Sequence, residues 1–393
     1  MVWIKREIAS ELVGLARKRP AILLTGSRQS GKSRLLTETF KGHQHVSLDL
    51  PSIAELADDA GEEFLRRYPP PVLIDEVQYA PKLFRYLKAF IDEHRDEAGL
   101  FLLTGSQKFQ LMNRVSESLA GRVAVIDIYS LSASELESYR GVTANVDVLL
   151  DWMFRGGYPE IHASDLEPTR FYSDYVATYL ERDVRSLAGV RNLRDFNRFL
   201  RLCSMRTGQL LSMNGFATEV GVSVNTIQSW ISVLEASGII SLVSPYYRNL
   251  GKRLVKTPKL YFVDTGLACF LAGLPSPQAL QQSSQLGAFF ETYVFGQLLR
   301  WHANRGRPVD IYFYRDHYGH EVDFVIPEGD RLRLFECKWS SGSTRKPAGF
   351  VEIEKLIGRD AIISESIVTQ ERGPRPGPEG CIFDDVVRFQ GLD

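Results

Sequence analysis

The sequence predicts an α/β protein: a three-layer α/β/α domain on a parallel sheet, a helical segment with a winged helix, and a C-terminal α+β domain. Three observations predict it. Short apolar runs alternate with helical patterns from the start to about Ser138. The run Ala21-Ile22-Leu23-Leu24 leads straight into Gly26-Ser27-Arg28-Gln29-Ser30-Gly31-Lys32-Ser33. Near the end, Glu321 to Ile326 and Leu334 to Lys338 alternate polar and apolar residues on either side of a turn.

The glycine-rich stretch fits the pattern of a phosphate-binding loop between a strand and a helix starting near Lys32. Its glycines allow the tight turn that aims backbone N–H groups at phosphates. The helix N-terminus adds partial positive charge. Lys32 is placed to reach the β- and γ-phosphates of a nucleotide such as ATP, and Ser33 to offer its hydroxyl to Mg²⁺. Pro71 to Glu76 is a buried-strand run ending in two acids. Asp75 suits a water-mediated hold on Mg²⁺, and Glu76 suits the base that polarises an attacking water. A strand end whose acids are solvated, or cap the next helix, is the plainer account of the same string. Leu100 to Leu103 ends in Thr104-Gly105-Ser106-Gln107, which delivers Ser106 or Gln107 to the γ-phosphate as a polar sensor, or is an ordinary strand-to-loop turn. His45 to Leu50 is a further strand. Ligand loops lie at the carboxyl ends of such strands.

At 393 residues the chain has room for two or three domains. Hydrophobic content of 44% against 24% charged is that of an ordinary soluble globular protein. A formal net charge of −1 excludes a uniformly basic nucleic-acid coat. Charge is nevertheless uneven: Arg182 to Lys259 holds 12 Lys or Arg against 4 Asp or Glu, a local +8. That is an electrostatic footprint for phosphate backbones, or a helix surface paired with other domains. Cys203, Cys269, Cys337 and Cys381 are scattered, without zinc or disulfide spacing, as in a reducing cytosol. No apolar signal core and no run near the ~20 residues of a membrane span appear, so a cytoplasmic protein without a membrane partner is expected.

From Asp151 to about Arg206 the pattern is helical, with a tight connector at Arg155-Gly156-Gly157-Tyr158-Pro159-Glu160 and helices over Tyr172–Asp183 and Leu193–Leu202. Leu210 to Tyr247 reads as a winged helix-turn-helix. Phe216 to Val220 forms the first short helix, Gly221-Val222-Ser223 the turn with Ser223 as N-cap, and Val224 to Ala236 the second helix. Ile227, Trp230, Ile231 and Leu234 fall on its buried face. Asn225, Gln228 and Ser229 are left exposed to meet a DNA groove, with Arg248, Lys252, Arg253 and Lys256 as the basic flank. The same module also serves protein–protein or interdomain contacts. Leu260 to Val263 is strand-like, and Ser276 to Ser284 reads as a surface loop. The resulting division is 1–140, 141–206, 207–260 and 261–393.

The last segment carries a second constellation. Pro327 to Asp330 turns an antiparallel hairpin, and Glu336 and Lys338, two apart, share one face. Asp323 on the neighbouring strand and Glu291 on an upstream helix converge with them. Acid, then Glu-X-Lys, on paired strands is the pattern of metal-dependent nucleases, in which carboxylates hold Mg²⁺ and the lysine orients water. A cross-strand salt-bridge ladder explains the same residues equally well.

This order of parts resembles a prokaryotic family of AAA-type ATPases with a C-terminal domain of unassigned function, built of a winged helix and a core similar to PD-(D/E)XK nucleases. The resemblance spans essentially the whole chain. It rests on Gly26–Ser33, Val72–Glu76, Leu103–Gln107, Ser118-Leu119-Ala120-Gly121-Arg122, Gly156–Glu160, Tyr179–Val184 and Glu321–Lys338. It implies an AAA-type ATP site with Arg122 as an arginine finger acting in trans, Arg114 as runner-up, and hence a homo-oligomer, a ring such as a hexamer. An ordinary salt-bridged arginine is the simpler account of Arg122. Arg155 and Arg182 are the candidates for a second sensor. Ser27 and Ser33 stand where the family often has proline and threonine; serine keeps the hydroxyl for Mg²⁺. The proline of the nuclease motif is missing before Asp323, so the resemblance implies the fold of that site rather than cutting.

The function these readings favour is Mg²⁺-dependent ATP hydrolysis coupled to binding and remodelling of duplex or branched DNA. Similar module order in Holliday-junction branch-migration motors points to junctions or forks. The alternatives are an ATP-gated metal-dependent nuclease and a nucleotide-switched protein-binding scaffold.

Overall fold

The structure, a computed structural model, describes residues 2–105, 119–164, 166–180, 192–246, 256–340 and 342–392. The first sheet has five parallel strands: β1 (Ala21–Thr25), β2 (Gln44–Ser47), β3 (Val72–Asp75), β4 (Phe101–Thr104) and β5 (Val123–Asp127), in the order β2-β3-β4-β1-β5. Strands β1, β3 and β4 are buried throughout, which is why each reads as an unbroken apolar run. Helices α1 (Ala9–Ala16), α2 (Lys32–Thr39), α3 (Pro51–Asp59), α4 (Gly61–Arg67) and α5 (Leu83–Glu93) complete the layers. Two apolar clusters, one containing Leu23, Ile74 and Phe101 and the other Ile22, Leu73 and Leu102, sandwich the sheet. Alternate residues of each strand supply opposite faces.

Helices α6 (Ala133–Arg140), α7 (Val146–Arg155), α8 (Pro159–Ala163) and α9 (Pro168–Tyr175) follow. The helix expected over Tyr172–Asp183 ends at Tyr175 and continues as a π-turn over Val176–Leu180. Asp183, with Arg182, lies outside the described residues.

Next come α10 (Leu193–Met205), β6 (Gln209–Leu210), α11 (Met213–Val220), α12 (Val224–Ala236), β7 (Ile240–Val243) and β8 (Lys259–Phe262), the strands forming a small antiparallel sheet ordered β6-β8-β7. Ser223 caps α12 by accepting from the Thr226 N–H at 3.1 Å. The last turn of α12 and the Gly238 bend face the phosphate loop. A methyl built on Gly238 would lie 3.9 Å from Ser27 N. Glu235, Ser237, Gly26, Ser27 and Asp127 line the cleft of about 180 Å³ between them.

The remainder holds α13 (Thr265–Leu271), α14 (Pro277–Gln282), α15 (Leu286–Asn304) and α16 (Ala348–Ile357) around a six-stranded sheet. Its strands are β9 (Tyr312–Arg315), β10 (Glu321–Glu328), β11 (Arg331–Cys337), β12 (Ile362–Thr369), β13 (Arg375–Pro376) and β14 (Ile382–Asp385), in the order β13-β14-β12-β11-β10-β9. The expected hairpin is β10–β11, antiparallel, with Phe324 opposite Phe335. The stretch Ser276–Ser284, expected as a loop, contains α14 instead: Ser276 caps it, Pro277 starts it and Leu280 anchors it in the core. One apolar core runs from Leu131 through Phe199, Trp230, Phe262 and Phe295 to Leu392. The helical segment, the small sheet and the C-terminal sheet therefore share a single interior.

Candidate nucleotide site and a buried charge cluster

Gly26 leaves β1 at φ +138, and a Cβ there would fall 2.1 Å from the Ile128 carbonyl oxygen. Only glycine fits that approach. Gly31 takes the left-handed conformation, φ +89, at the N-cap of α2. The loop is tied from below: Arg6 donates from Nη1 to Ser30 O at 3.0 Å, and Ser30 Oγ donates to Ser27 O at 2.9 Å. Lys32 folds back over the loop, donating from Nζ to Gly26 O at 3.0 Å and Ser27 O at 2.9 Å. Burial pushes its ammonium down to about 8, against the opposing pull of Glu76 and Asp75.

Strand β3 delivers both expected acids to this loop. Ser33 Oγ donates to Asp75 Oδ1 at 2.7 Å. Glu76 stands just past the strand at φ +55, uncommon for a non-glycine residue, which turns it out of the sheet. Its carboxylate accepts from Gln78 Nε2. Thr104 at the end of β4 completes the group: its hydroxyl donates to Asp75 Oδ1 and accepts from the Glu76 N–H at 3.2 Å. Sequence reasoning passed over Thr104 for its neighbours; Ser106 and Gln107 lie outside the described residues. An open cleft of about 490 Å³ spans Arg28, Gln29, Gly31, Lys32, Ser33 and Glu76, roofed by Tyr175, Thr178 and Tyr179 from the helical segment. The Arg28 guanidinium sits over the Tyr179 ring, 5.1 Å from its centre. The residues present suit a nucleotide triphosphate with Mg²⁺: a cation, a hydroxyl and a carboxylate converge on the loop's donors.

Arg122 lies elsewhere. Val123 pairs with Ala21, so Arg122 stands at the opposite end of the sheet from the loop. Asp92 holds it there with two hydrogen bonds, 2.8 Å from Nε and 3.1 Å from Nη2. Arg114 is outside the described residues. Arg155 pairs with Asp151 at 2.8 Å.

Asn225, Gln228 and Ser229 are exposed on the outer half of α12, and Lys256 is exposed before β8. Arg248, Lys252 and Arg253 lie outside the described residues. Lys259, counted above at the end of the basic stretch Arg182–Lys259, faces inward: it is 2% exposed and sits among acids. Its Nζ lies 2.9 Å from Glu291 Oε1 and 3.9 Å from Asp323 Oδ1, and it pairs with Glu321. Burial alone would lower its pKa, but Glu291, Asp323 and Glu321 together hold it above the ordinary range. Three exposed cations that sequence reasoning did not single out, Arg194, Arg198 and Arg201, line one face of α10.

Glu291, Asp323, Glu336 and Lys338 do converge. Asp323 Oδ2 accepts from the Cys337 N–H at 2.7 Å, and Lys338 pairs with Glu336 at 2.8 Å. Burial, then Glu291 and Glu336, push the Asp323 carboxyl well above its usual range. Among the described residues no group of three or more His, Cys, Asp or Glu is arranged to hold a metal ion. The cation standing among these acids is Lys259, delivered by β8, a partner invisible in the hairpin's own sequence.

Asp264 is a further residue that sequence reasoning missed. It accepts from Ser130 Oγ at 2.7 Å, Gly157 N at 2.9 Å and Tyr172 Oη at 2.9 Å, joining the end of the first sheet to the helical segment. The Gly156-Gly157 pair exists to let it in: a Cβ on Gly156 would fall 2.1 Å from Asp264 Oδ1.

Comparison with known proteins finds three family matches along the chain. Residues 18–137 match an AAA domain, 146–278 a domain of unknown function (DUF8612), and 286–375 another domain of unknown function (DUF4143). Among the described residues no helix is long and apolar enough to cross a membrane. Among solved structures, the Walker-type ATPase PABY2304 of Pyrococcus abyssi overlays with a TM-score of 0.46 at 15% identity, over 68% of this chain and 96% of that one. The RuvB Holliday junction branch migration motor of Thermotoga maritima gives 0.29 at 15% identity, over 61% and 89%. Overlays this loose carry no argument; the parallel sheet order, the phosphate loop and the AAA match carry the P-loop α/β fold. The uncharacterized proteins Rv2008c of Mycobacterium tuberculosis and Mb2031c of Mycobacterium bovis are each 30% identical over 344 residues, 87% of this chain and 75% of theirs. The chain carries an AAA domain at residues 18–137, and over its length it belongs to the family of these mycobacterial proteins.

Proposed function

We propose that this chain hydrolyses ATP with Mg²⁺ and couples the turnover to DNA. The observation that carries the proposal is the convergence of Lys32, Ser33, Asp75 and Glu76 on one cleft above the phosphate loop. Lys32 and the loop N–H groups would bind the β- and γ-phosphates, and Ser33 with Asp75 would hold Mg²⁺, which supplies charge neutralisation. Glu76 would take the proton of the attacking water. The division into an ATPase part (1–140), connector (141–206), winged helix (207–260) and nuclease-like part (261–393) is one of architecture, since one core spans the last three.

For DNA, the support is a helix–strand–helix–helix–strand–strand order with Asn225, Gln228 and Ser229 exposed on α12, flanked by Lys256 and the Arg194, Arg198 and Arg201 stripe. In that order a winged helix presents its third helix, the second of its helix-turn-helix, to a groove. Branched DNA remains the preferred substrate in this reading, and a cytoplasmic homo-oligomer the working assembly, with Arg122 free to serve a neighbouring subunit only after leaving Asp92. A cutting role is the weaker reading, because Lys259 already neutralises the acids that would hold its metal.

The deciding experiment is the ATPase rate at low salt without DNA, with duplex, with single strand and with a four-way junction, alongside Glu76→Gln. Turnover that Glu76→Gln abolishes and a junction stimulates supports the proposal. Turnover indifferent to every DNA removes its second half and redirects the search to protein partners.

A further inference from the structure

A phosphate-binding loop works through its backbone N–H groups, so whatever fixes its peptide planes fixes its donors. The peptide between Ser30 and Gly31 is trans. In a trans peptide the carbonyl and the following N–H point to opposite sides. Arg6 holds that carbonyl, donating from Nη1 to Ser30 O at 3.0 Å. Arg6 is 3% exposed and lies beneath the loop, whereas Gly31 lines the cleft above it. The Gly31 N–H is thereby turned toward the cleft.

We propose that Arg6 is a positioning residue of the nucleotide site: from outside the loop it locks the Ser30–Gly31 peptide so that the Gly31 N–H meets a phosphate oxygen of the nucleotide. The inference rests on the ATPase reading above and goes beyond it by naming a residue outside the loop on which phosphate affinity depends. Three observations support it. First, the guanidinium is fixed at its other two corners. Nε donates to Glu135 Oε1 at 3.0 Å and Nη2 to Tyr129 O at 2.8 Å, so the bond to the loop comes from a planar fork that is already placed. Second, Glu135 is a firm anchor. It is 2% exposed; its Oε1 also accepts from the Glu7 N–H at 2.8 Å, and its Oε2 from the Ser132 N–H at 2.8 Å. Leaving that place would strand a buried charge. Third, the stretch from Tyr129 to Glu135, which takes those two corners, is itself fastened to α15. Arg300 Nε donates to Ser130 O at 2.9 Å, and the Ala133 N–H donates to Gln297 Oε1 at 2.7 Å. The Ser30 carbonyl is thus braced, through Arg6, against a 19-residue helix of the C-terminal part.

Arg6 takes no part in bond making or breaking. The Gly31 N–H meets the nucleotide both before and during phosphoryl transfer, so the brace contributes about equally to the two states. Its loss is therefore read in binding rather than in the turnover of bound ATP.

The separating variant is Arg6→Lys. A lysine ammonium stands where the arginine Cζ stands, one bond short of Nη1. It settles on the Glu135 carboxylate, because the charge-assisted bond is the stronger. The buried pair is kept and the tie to Ser30 is lost. The expected result is ADP affinity lower by about 10-fold and KM for ATP raised alongside, with kcat within about 3-fold of the parent and a thermal midpoint within about 5 °C. A second variant, Arg6→Met combined with Glu135→Gln, removes the pair without leaving a buried charge, and the same loss of ADP affinity is expected of it. Isothermal titration with ADP well below each thermal midpoint reads folded chains. ADP affinity within about 3-fold of the parent in either folded variant overturns the proposal, whatever the midpoint does, because Arg6 is then a brace of the fold alone. A parent chain that binds no ADP overturns the ATPase reading instead, and this inference with it.

Discussion

Ser33 donates its hydroxyl hydrogen to Asp75 across 2.7 Å, joining the first turn of α2 to the end of β3. The hydroxyl that would ligate Mg²⁺ is thus already oriented by the carboxylate that would stand behind it. Asp75→Asn is expected to lower Mg²⁺-dependent turnover ~10–100-fold, the usual cost of losing a partner just outside a metal's ligands. Metal-free ADP binding should barely change. A titration of turnover against Mg²⁺ checks this; an unchanged Mg²⁺ requirement in Asp75→Asn would remove Asp75 from the site.

Nucleotide affinity should fall as pH rises past about 8. Lys32 is depressed to about 8 from 10.5, mainly by burial. A bound phosphate favours the ammonium, so nucleotide binding takes up a proton wherever the nucleotide-free chain has lost one. Lysine ionises more easily unfolded than in this cleft, so the fold itself gains stability between the two values as pH rises. Isothermal titration with ADP at pH 8.5 in two buffers of different ionisation enthalpy measures the uptake. Identical heats in both buffers would refute it.

Gly156→Ala should be among the most damaging single substitutions in the chain. The added methyl meets Asp264 Oδ1 at 2.1 Å and Tyr172 Oη at 2.2 Å, and φ is +70. Displacing a buried carboxylate that accepts from Ser130 and Gly157 is expected to cost about 3 kcal/mol or more. Denaturant unfolding of the variant measures this. Gly141→Ala, also at positive φ (+65) but with nothing within 4 Å of the new methyl, is the control for backbone strain alone.

The Lys259 cluster gives a prediction of opposite signs. Lys259→Met strands Glu291 and Glu321 and should destabilise by about 3 kcal/mol. Asp323→Asn should be neutral or stabilising at pH 7. Its carboxyl is held well above its usual range, so the unfolded chain ionises it first, and the parent loses stability as pH rises through about 4 and beyond. Asparagine keeps the acceptor for the Cys337 N–H and removes that loss. Thermal midpoints of both variants at pH 5 and pH 7 decide it; a midpoint lowered by Asp323→Asn at pH 7 would contradict the assignment.

If α10 and α12 face DNA, replacing Arg194, Arg198 and Arg201 by alanine should weaken duplex binding and flatten its salt dependence by about one per lost phosphate contact. Fluorescence anisotropy at several salt concentrations reads both. An unaltered slope would assign the stripe to another partner.

What was legible in the sequence follows from how local each signal is. Strands β1, β3 and β4 are short, parallel and buried on both faces, so their apolar runs stand out. The loop Gly26–Ser33 has demands that few other strings meet. Helix α12 has its stated bounds because Ser223 caps it and Gly238 follows it. Signals that depend on distant partners were hidden. Lys259 reads as one more cation of a basic stretch, and only the fold brings Glu291 and Glu321 to it. Helix α14 carries one buried apolar residue, Leu280, too few for periodicity. Asp264 caps its own helix locally, and nothing nearby reveals that Ser130 and Tyr172 arrive from elsewhere.

The approach of α12 to the phosphate loop has a mechanical consequence. An α-helix is stiff along its axis, and this one, 13 residues long, spans about 20 Å. Its inner end rests near Ser27 while Asn225 and Gln228 occupy its outer half. A helix of that length does not compress along its axis, so a loop movement large enough to displace the Gly238 bend would displace Asn225 and Gln228 at the outer end with it.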